Sequence, residues 1–145
     1  GDGAVKVKTL DDARNCRPED VGKILIQNYM PIDSDFRVLV LGEEVLGVMK
    51  RSLAEGAIVS NIAKGGLTSS TDLDADVLAM AVKAARTMGL DFAGVDLLLH
   101  DGRPYVLEVN SAPEFKAFER VTGVNVAARV LDYLLTDLPS GGRLN

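Results

Sequence analysis

The sequence contains no tryptophan, one cysteine and one histidine in 145 residues, and aromatic side chains make up only 5% of it. Cys16 has no second cysteine with which to close a disulfide, which points to a reducing, cytoplasmic setting. So few aromatic rings leave no platform on which nucleic-acid bases could stack. Basic charge is also short. Sixteen Lys and Arg stand against 21 Asp and Glu, a net charge of −5, whereas a track for nucleic-acid phosphates needs a basic stripe. A nucleic-acid partner is therefore not expected. Apolar runs such as VLVL at residues 38–41 fall far short of the roughly 20 residues that cross a bilayer. The N-terminus lacks a basic stretch followed by an apolar one, so neither a signal peptide nor a membrane partner is expected.

What is present is the balance of a globular domain with a real core: 47% apolar and 26% charged residues. The length suits one domain. That leaves small-molecule chemistry, protein binding or a scaffold role. Along the chain, residues 1–3 (GDG) read as a flexible lead-in and residues 10–16 as a short helix ahead of Pro18. Residues 23–29, containing ILIQNY, read as a strand that Pro31 ends. Residues 36–41 and 45–49 form a hairpin around Gly42, Glu43 and Glu44. A further apolar stretch at 57–59 leads into the turn-rich Lys64, Gly65 and Gly66. Thr71 reads as a helix N-cap with Asp74 three residues on, and Leu73, Val77, Met80, Ala81, Ala84 and Met88 recur at helical spacing up to Gly89. A second hairpin spans 94–110 around Asp101 and Gly102, a last helix runs over 124–135, and 138–145 reads as a frayed tail. Hairpins and few helices predict an α+β fold, a mainly antiparallel sheet with helices on one side.

The second hairpin admits two registers. A two-residue turn at Asp101 and Gly102 mixes apolar and charged side chains on each face. A three-residue loop that includes Arg103 puts Val95, Leu97, Leu99, Tyr105, Leu107 and Val109 on one face, and Asp96, Leu98, His100, Val106, Glu108 and Asn110 on the other. Only the second separates a core face from a polar one, so hydrophobic patterning selects it. It sets Asp96 directly across from Glu108, with Asn110 two residues further along. Facing carboxylates repel, and something must offset that. A divalent cation suits two carboxylates and an amide oxygen. A solvated face, or one carboxylate with a raised pKa, is the alternative. The first hairpin is undecided, because apolar patterning is indifferent between its two registers. A two-residue turn separates Arg37 from Arg51, a three-residue loop brings them to one face, and two arginines serving one site would need the latter.

The stretches AVKAARTMGLDFAGVDLLL, YVLEVNSAP and FERVTGVNVA, preceded by DFRVLVLGEEVLGVMKR and EGAIVSNIAKGG, resemble the C-terminal part of ATP-grasp ligases, most nearly the RimK-type α-L-glutamate ligases. The likeness runs from about residue 24 to residue 135. It implies that Asp96, Glu108 and Asn110 are Mg²⁺ ligands, Glu108 shared between two ions with Asp96 on one and Asn110 on the other, Mn²⁺ being an alternative metal. It implies that Gln27, Asn28 and Tyr29 form the segment that meets the adenine of ATP, that Asp35 lies near the ribose, and that Arg37 and Arg51 are catalytic residues facing phosphates or the carboxylate substrate. Ser60 and Asn61 match a short Arg-Ser-Asn segment of the family that touches nucleotide or substrate, but Val59 stands where its arginine usually sits. Gly65 and Gly66 suit close backbone approach to a ligand or a plain turn. His100 reads as a rim residue, and Cys16 as a small apolar one.

Family members hold ATP between two lobes, the other lobe giving two lysines and a glycine-rich loop. Residues 1–5 look like the end of that loop, and Lys6 and Lys8 follow it where the family's lysines precede it. The expected division is thus a remnant of a preceding lobe or linker at 1–22, the C-terminal lobe at 23–137 and a tail at 138–145. The resemblance implies an ATP- and Mg²⁺-dependent carboxylate–amine ligase, working through an acyl phosphate, with glutamate addition to a protein or small-molecule terminus as the family's habit. The isolated chain is expected to be inactive, and its exposed seam would favour self-association. The alternative is a non-catalytic module that keeps the fold to bind a nucleotide or a partner. Apposed carboxylates argue against it, since a scaffold would gain stability by losing them.

Overall fold

The computed structural model describes residues 6–15, 25–52 and 67–137. The fold builds outward from β1 (Ser34–Leu41), whose last four residues are all apolar and all buried. A strand segment with no polar face must be covered on both sides. β2 (Glu44–Ser52) and β4 (Phe92–His100) flank β1 in antiparallel register, β3 (Thr68–Ser70) pairs with β2, and β5 (Arg103–Asn110) pairs with β4. The sheet order is β3-β2-β1-β4-β5.

On one face, Phe36, Val38 and Val40 join Val48, Ala93, Val95 and Leu97 beneath α2 (Ala75–Thr87), which contributes Val77, Ala81 and Ala85. On the other, Leu39, Leu41, Leu46 and Met49 meet Phe118 of α3 (Lys116–Thr122) and Val126 of α4 (Val126–Asp137). The expected α+β class with an antiparallel sheet of hairpins stands. Helices cover both faces, however, because Leu39 and Leu41 on the second face of β1 need cover as Val38 and Val40 on the first do. No helix among the described residues is long and apolar enough to cross a membrane.

Local chemistry shifts several boundaries. Residues 10–15 form a short helix (α1, Leu10–Asn15) close to expectation. α2 starts at Ala75, not after Thr71, because the Thr71 N–H still donates to the Val48 carbonyl at 3.3 Å and keeps the chain alongside β2. It ends where Gly89 takes a φ of +68°, with the Leu90 N–H returning to the Ala85 carbonyl at 3.1 Å and the Gly89 N–H to Arg86 at 2.9 Å. α3 was not anticipated. Its Glu119 Oε1 accepts the Val126 N–H at 2.8 Å, and Asn125 Oδ1 accepts the Ala128 N–H at 2.9 Å, so α4 begins at Val126 rather than 124.

The strand expected over residues 23–29 is a correction. Residues 25–32 carry no regular structure, and Leu25 and Ile26 are 82% and 89% exposed. Both edges of β1 are already taken by β2 and β4, and no described element packs on this run. Residues 23 and 24 lie outside the described residues, as do the lead-in, Cys16, the stretch 57–59, Ser60, Asn61, residues 64–66 and the tail.

Both hairpins close with two-residue turns rather than the three-residue loop favoured for the second, and both then change register at a bulge. In the first, Val40 faces Val45 but Leu39 faces Gly47, leaving Leu46 extra. In the second, Leu97 faces Val106 but Asp96 faces Glu108, leaving Leu107 extra. Asp101 and Gly102 have φ of 50° and 71°, the pair of positive values a type I′ turn takes. Near the turns the shorter register therefore holds; beyond the bulges the pairing is the one a three-residue loop would give.

Candidate functional site

The two bulges align charged residues in rows across one face of the sheet. The row Gly47, Leu39, Gly94 and Asn110 runs from β2 to β5. Here helix and loop press close. A Cβ on Gly94 would lie 2.7 Å from Pro113 Cβ, and one on Gly47 would lie 3.1 Å from Phe118. The next row is Met49, Arg37, Asp96 and Glu108, and beyond it Asp35 faces Arg51. The site thus continues the face that α3 and α4 cover.

Arg37 grips Asp96 with both arms of its guanidinium, Nε donating to Oδ1 at 2.8 Å and Nη2 to Oδ2 at 2.9 Å. Arg51 donates from Nε to Asp35 Oδ1 at 2.6 Å and from Nη2 to Asp35 Oδ2 at 2.9 Å, and its Nη2 also reaches Asp96 Oδ2 at 2.8 Å. Asp35, Arg51 and Asp96 are buried, and Arg37 nearly so. Two guanidinium groups against two carboxylates leave the cluster neutral, the condition under which buried charges are tolerated. Burial alone would lower the Arg51 pKa, but the hydrogen bond and charge of Asp35 and the charge of Asp96 outweigh it and hold the pKa above its ordinary value. Arg51 is a fixed positive charge.

Glu108 faces Asp96 as the sequence patterning requires, and its side chain is exposed, with no ion pair among the described residues. Asn110 Oδ1 accepts the Ala112 N–H at 2.9 Å, a turn that starts the loop to Pro113. The repulsion between Asp96 and Glu108 is thus offset by Arg37 and Arg51 within the fold, and the apposition does not by itself call for a metal. That correction was within reach of the sequence, because two arginines available to the same face balance the charge as well as a cation does. Among the described residues no three His, Cys, Asp or Glu side chains cluster as metal ligands, so an ion here would rely on two carboxylates and an amide.

The remaining candidates lie apart. Gln27, Asn28 and Tyr29 are exposed on the unpaired segment before β1, and Lys6 Nζ sits 3.5 Å above the Tyr29 ring. Asp35, expected near a ribose, directs its carboxylate at Arg51. His100 lies at the hairpin tip, its Nε2 3.6 Å from Asp101 Oδ2, away from the charged rows.

A family model described as a RimK-like ATP-grasp domain matches residues 1–134. A curated protein from Picosynechococcus sp., named probable alpha-L-glutamate ligase, is 42% identical over 113 residues, which are 77% of this chain and 38% of that protein. The chain therefore spans well under half the length of that relative. Among solved structures, a RiPP-associated ATP-grasp ligase of Chryseobacterium gregarium, in complex with ADP and a leader and core peptide, matches with a TM-score of 0.65 at 20% identity over 78% of this chain and 36% of its own. The ATP-grasp ligase PsnB, complexed with a variant of its minimal precursor, Mg and ADP, matches with a TM-score of 0.61 at 23% identity over 74% of this chain and 33% of its own. At these identities the two structures speak to the fold.

Proposed function

This chain belongs to the RimK-like ATP-grasp family, and from that premise we propose that it supplies the nucleotide and cation site of an ATP-dependent ligase joining a carboxylate to an amine. The observation that carries the reading is the convergence of Arg37, Arg51, Asp96, Glu108 and Asn110 on one face of one sheet. The donor set fits Mg²⁺. A carboxylate oxygen offers two acceptor positions; Asp96 Oδ1 uses one, on Arg37, and Oδ2 uses both. Glu108 has both oxygens available, and the Asn110 amide oxygen has one position beyond Ala112. These are hard oxygen donors of the kind Mg²⁺ takes alongside water and phosphate oxygens. Asp96, Glu108 and Asn110 would hold two such ions, with Glu108 shared, and bound Mg²⁺ would neutralise phosphate charge and orient the transfer.

The chain's own residues do the rest. Arg37 offers a planar fork suited to a phosphoryl or carboxylate oxyanion. The backbone of residues 27–29, in no strand, is open to an adenine, and Ser60 and Asn61 are proposed nucleotide or substrate contacts. ATP phosphorylates a carboxylate, and an amine displaces phosphate from the acyl phosphate to form the amide. Glutamate addition to a protein or small-molecule terminus is the proposed reaction, after the name of the Picosynechococcus relative.

The test uses full-length protein, ATP, Mg²⁺, glutamate and a protein or small-molecule terminus, with ADP and amide product followed together. ADP release that depends on the carboxylate, trapped as a hydroxamate by hydroxylamine, supports the ligase. ADP release indifferent to any carboxylate overturns it. One observation favours a second reading, a non-catalytic nucleotide-binding module: with Asp96 neutralised by two arginines, the site costs a scaffold little. That reading predicts nucleotide binding without ADP release.

A further inference from the structure

We infer that Arg37 and a divalent cation exclude each other at Asp96 Oδ1, so that cation binding frees the Arg37 guanidinium for an anion while Arg51 stays in place. The inference rests on the cation-site reading above. The two arginines are held unequally. Among the described residues, Arg51 is anchored by two carboxylates through three hydrogen bonds and is the more buried, whereas Arg37 is anchored by Asp96 through two. Among the same residues, Asp96 Oδ1 accepts from Arg37 Nε and from no second group, while Oδ2 is shared by both arginines.

A divalent cation arriving at Oδ1 meets a guanidinium on the same atom. Like charges at that separation repel strongly in a partly buried site, and the group with one anchor yields. Arg51 keeps Oδ2 and holds the Asp96 carboxylate in position, and Asp35 holds Arg51. Asp35 is on this account a positioning residue, acting on the cation through two others. The released Arg37 presents a two-pronged N–H fork to an oxyanion. Cation and anion binding then reinforce one another, and by linkage each must raise the other's affinity by the same factor.

The experiment is a Mg²⁺ titration of the full-length protein, labelled with ¹⁵N at arginine side chains and observed by NMR together with the backbone amides of Glu108 and Asn110. The expected result is that Arg37 Nε–H loses its hydrogen-bonded shift and its slow exchange as Glu108 and Asn110 respond, with Arg51 Nε–H unchanged. Glu108 and Asn110 responding while Arg37 stays fixed overturns the exchange and leaves the cation site standing. No response at Glu108 or Asn110 overturns the site and the exchange with it. As a second arm, Arg37→Met removes the competitor and is expected to tighten Mg²⁺ binding about 5-fold or more; weaker binding in that variant overturns the proposal.

Discussion

Asp35 and Arg51 are coupled tightly enough that neither can be changed alone without cost. Arg51→Met leaves Asp35 buried with a negative charge that Arg51 had met through two hydrogen bonds, and breaking a buried pair this way costs about 3–5 kcal/mol. Removing both charges, as Asp35→Asn with Arg51→Met, should recover a good part of that loss, so the double variant falls well short of the sum in urea unfolding. Additivity would mean the pair is not a unit. The raised Arg51 pKa fixes the sign of its pH dependence. Its contribution is complete at every pH below the ordinary arginine value and is lost only as pH rises through the raised one, so Arg51 keeps its charge across neutral and acid pH. Glu108 is the opposite kind of residue. Exposed and without an ion pair among the described residues, it should tolerate Glu108→Gln within about 0.5 kcal/mol of stability while Mg²⁺ binding in calorimetry falls sharply.

The bulges show how far a sequence can be read at the level of elements. Patterning found the Asp96–Glu108 pairing, because burial of one face penalises a slipped register, but it was indifferent at the first hairpin, where only the requirement that two arginines serve one site put Arg37 and Arg51 on one face. It assigned the wrong device, a longer loop, since one extra residue shifts the far register equally whether it sits in the turn or at Leu46 and Leu107. Periodicity also read residues 23–29 as a strand, because it reports apolar character and not whether the neighbouring strand β1 still has a side open to pairing. Loop anchoring was illegible for a similar reason. Gly94 is glycine because Pro113 rides over it, a contact between segments far apart in sequence. Gly94→Ala should cost about 1–3 kcal/mol through overpacking and, by pushing the loop that begins at Asn110, weaken Mg²⁺ binding more than its stability loss explains. At α1, Thr9 Oγ1 accepts the Asp12 N–H while Asp12 Oδ2 accepts the Lys8 and Thr9 N–H groups. The Thr9 hydroxyl beside the Asp12 carboxylate first, then the two backbone bonds, lower the Asp12 pKa from its ordinary value. This cap is therefore complete above the ordinary carboxylate pKa and is lost as pH falls through the lowered one, which an NMR titration of the Asp12 carboxyl with the Thr9 amide should record.

For the molecule as a whole, the origin of the charge balance decides whether the fold depends on metal. Had a cation been the only offset to Asp96 and Glu108, stripping it would loosen β4 from β5 and carry the unfolding into β1, which pairs with β4 along six residue pairs. Arg37 and Arg51 supply that offset internally, and the two apolar clusters that hold the sheet lie on either side of β1, built from residues that need no ion. Metal-free protein should therefore stay folded and unfold cooperatively. Added Mg²⁺ should still raise its thermal midpoint, because a ligand bound only by the folded chain stabilises by mass action, about 2.7 kcal/mol at a hundredfold excess over Kd. Chelation should remove that increment and nothing more, and Glu108→Gln should abolish it without moving the metal-free midpoint, since Glu108 belongs to the ligand set and not to the neutral cluster. A chain that loses its cooperative unfolding on chelation would return the metal to a structural role and make the arginine pairs insufficient; an increment that survives Glu108→Gln would move the ion to another part of the chain.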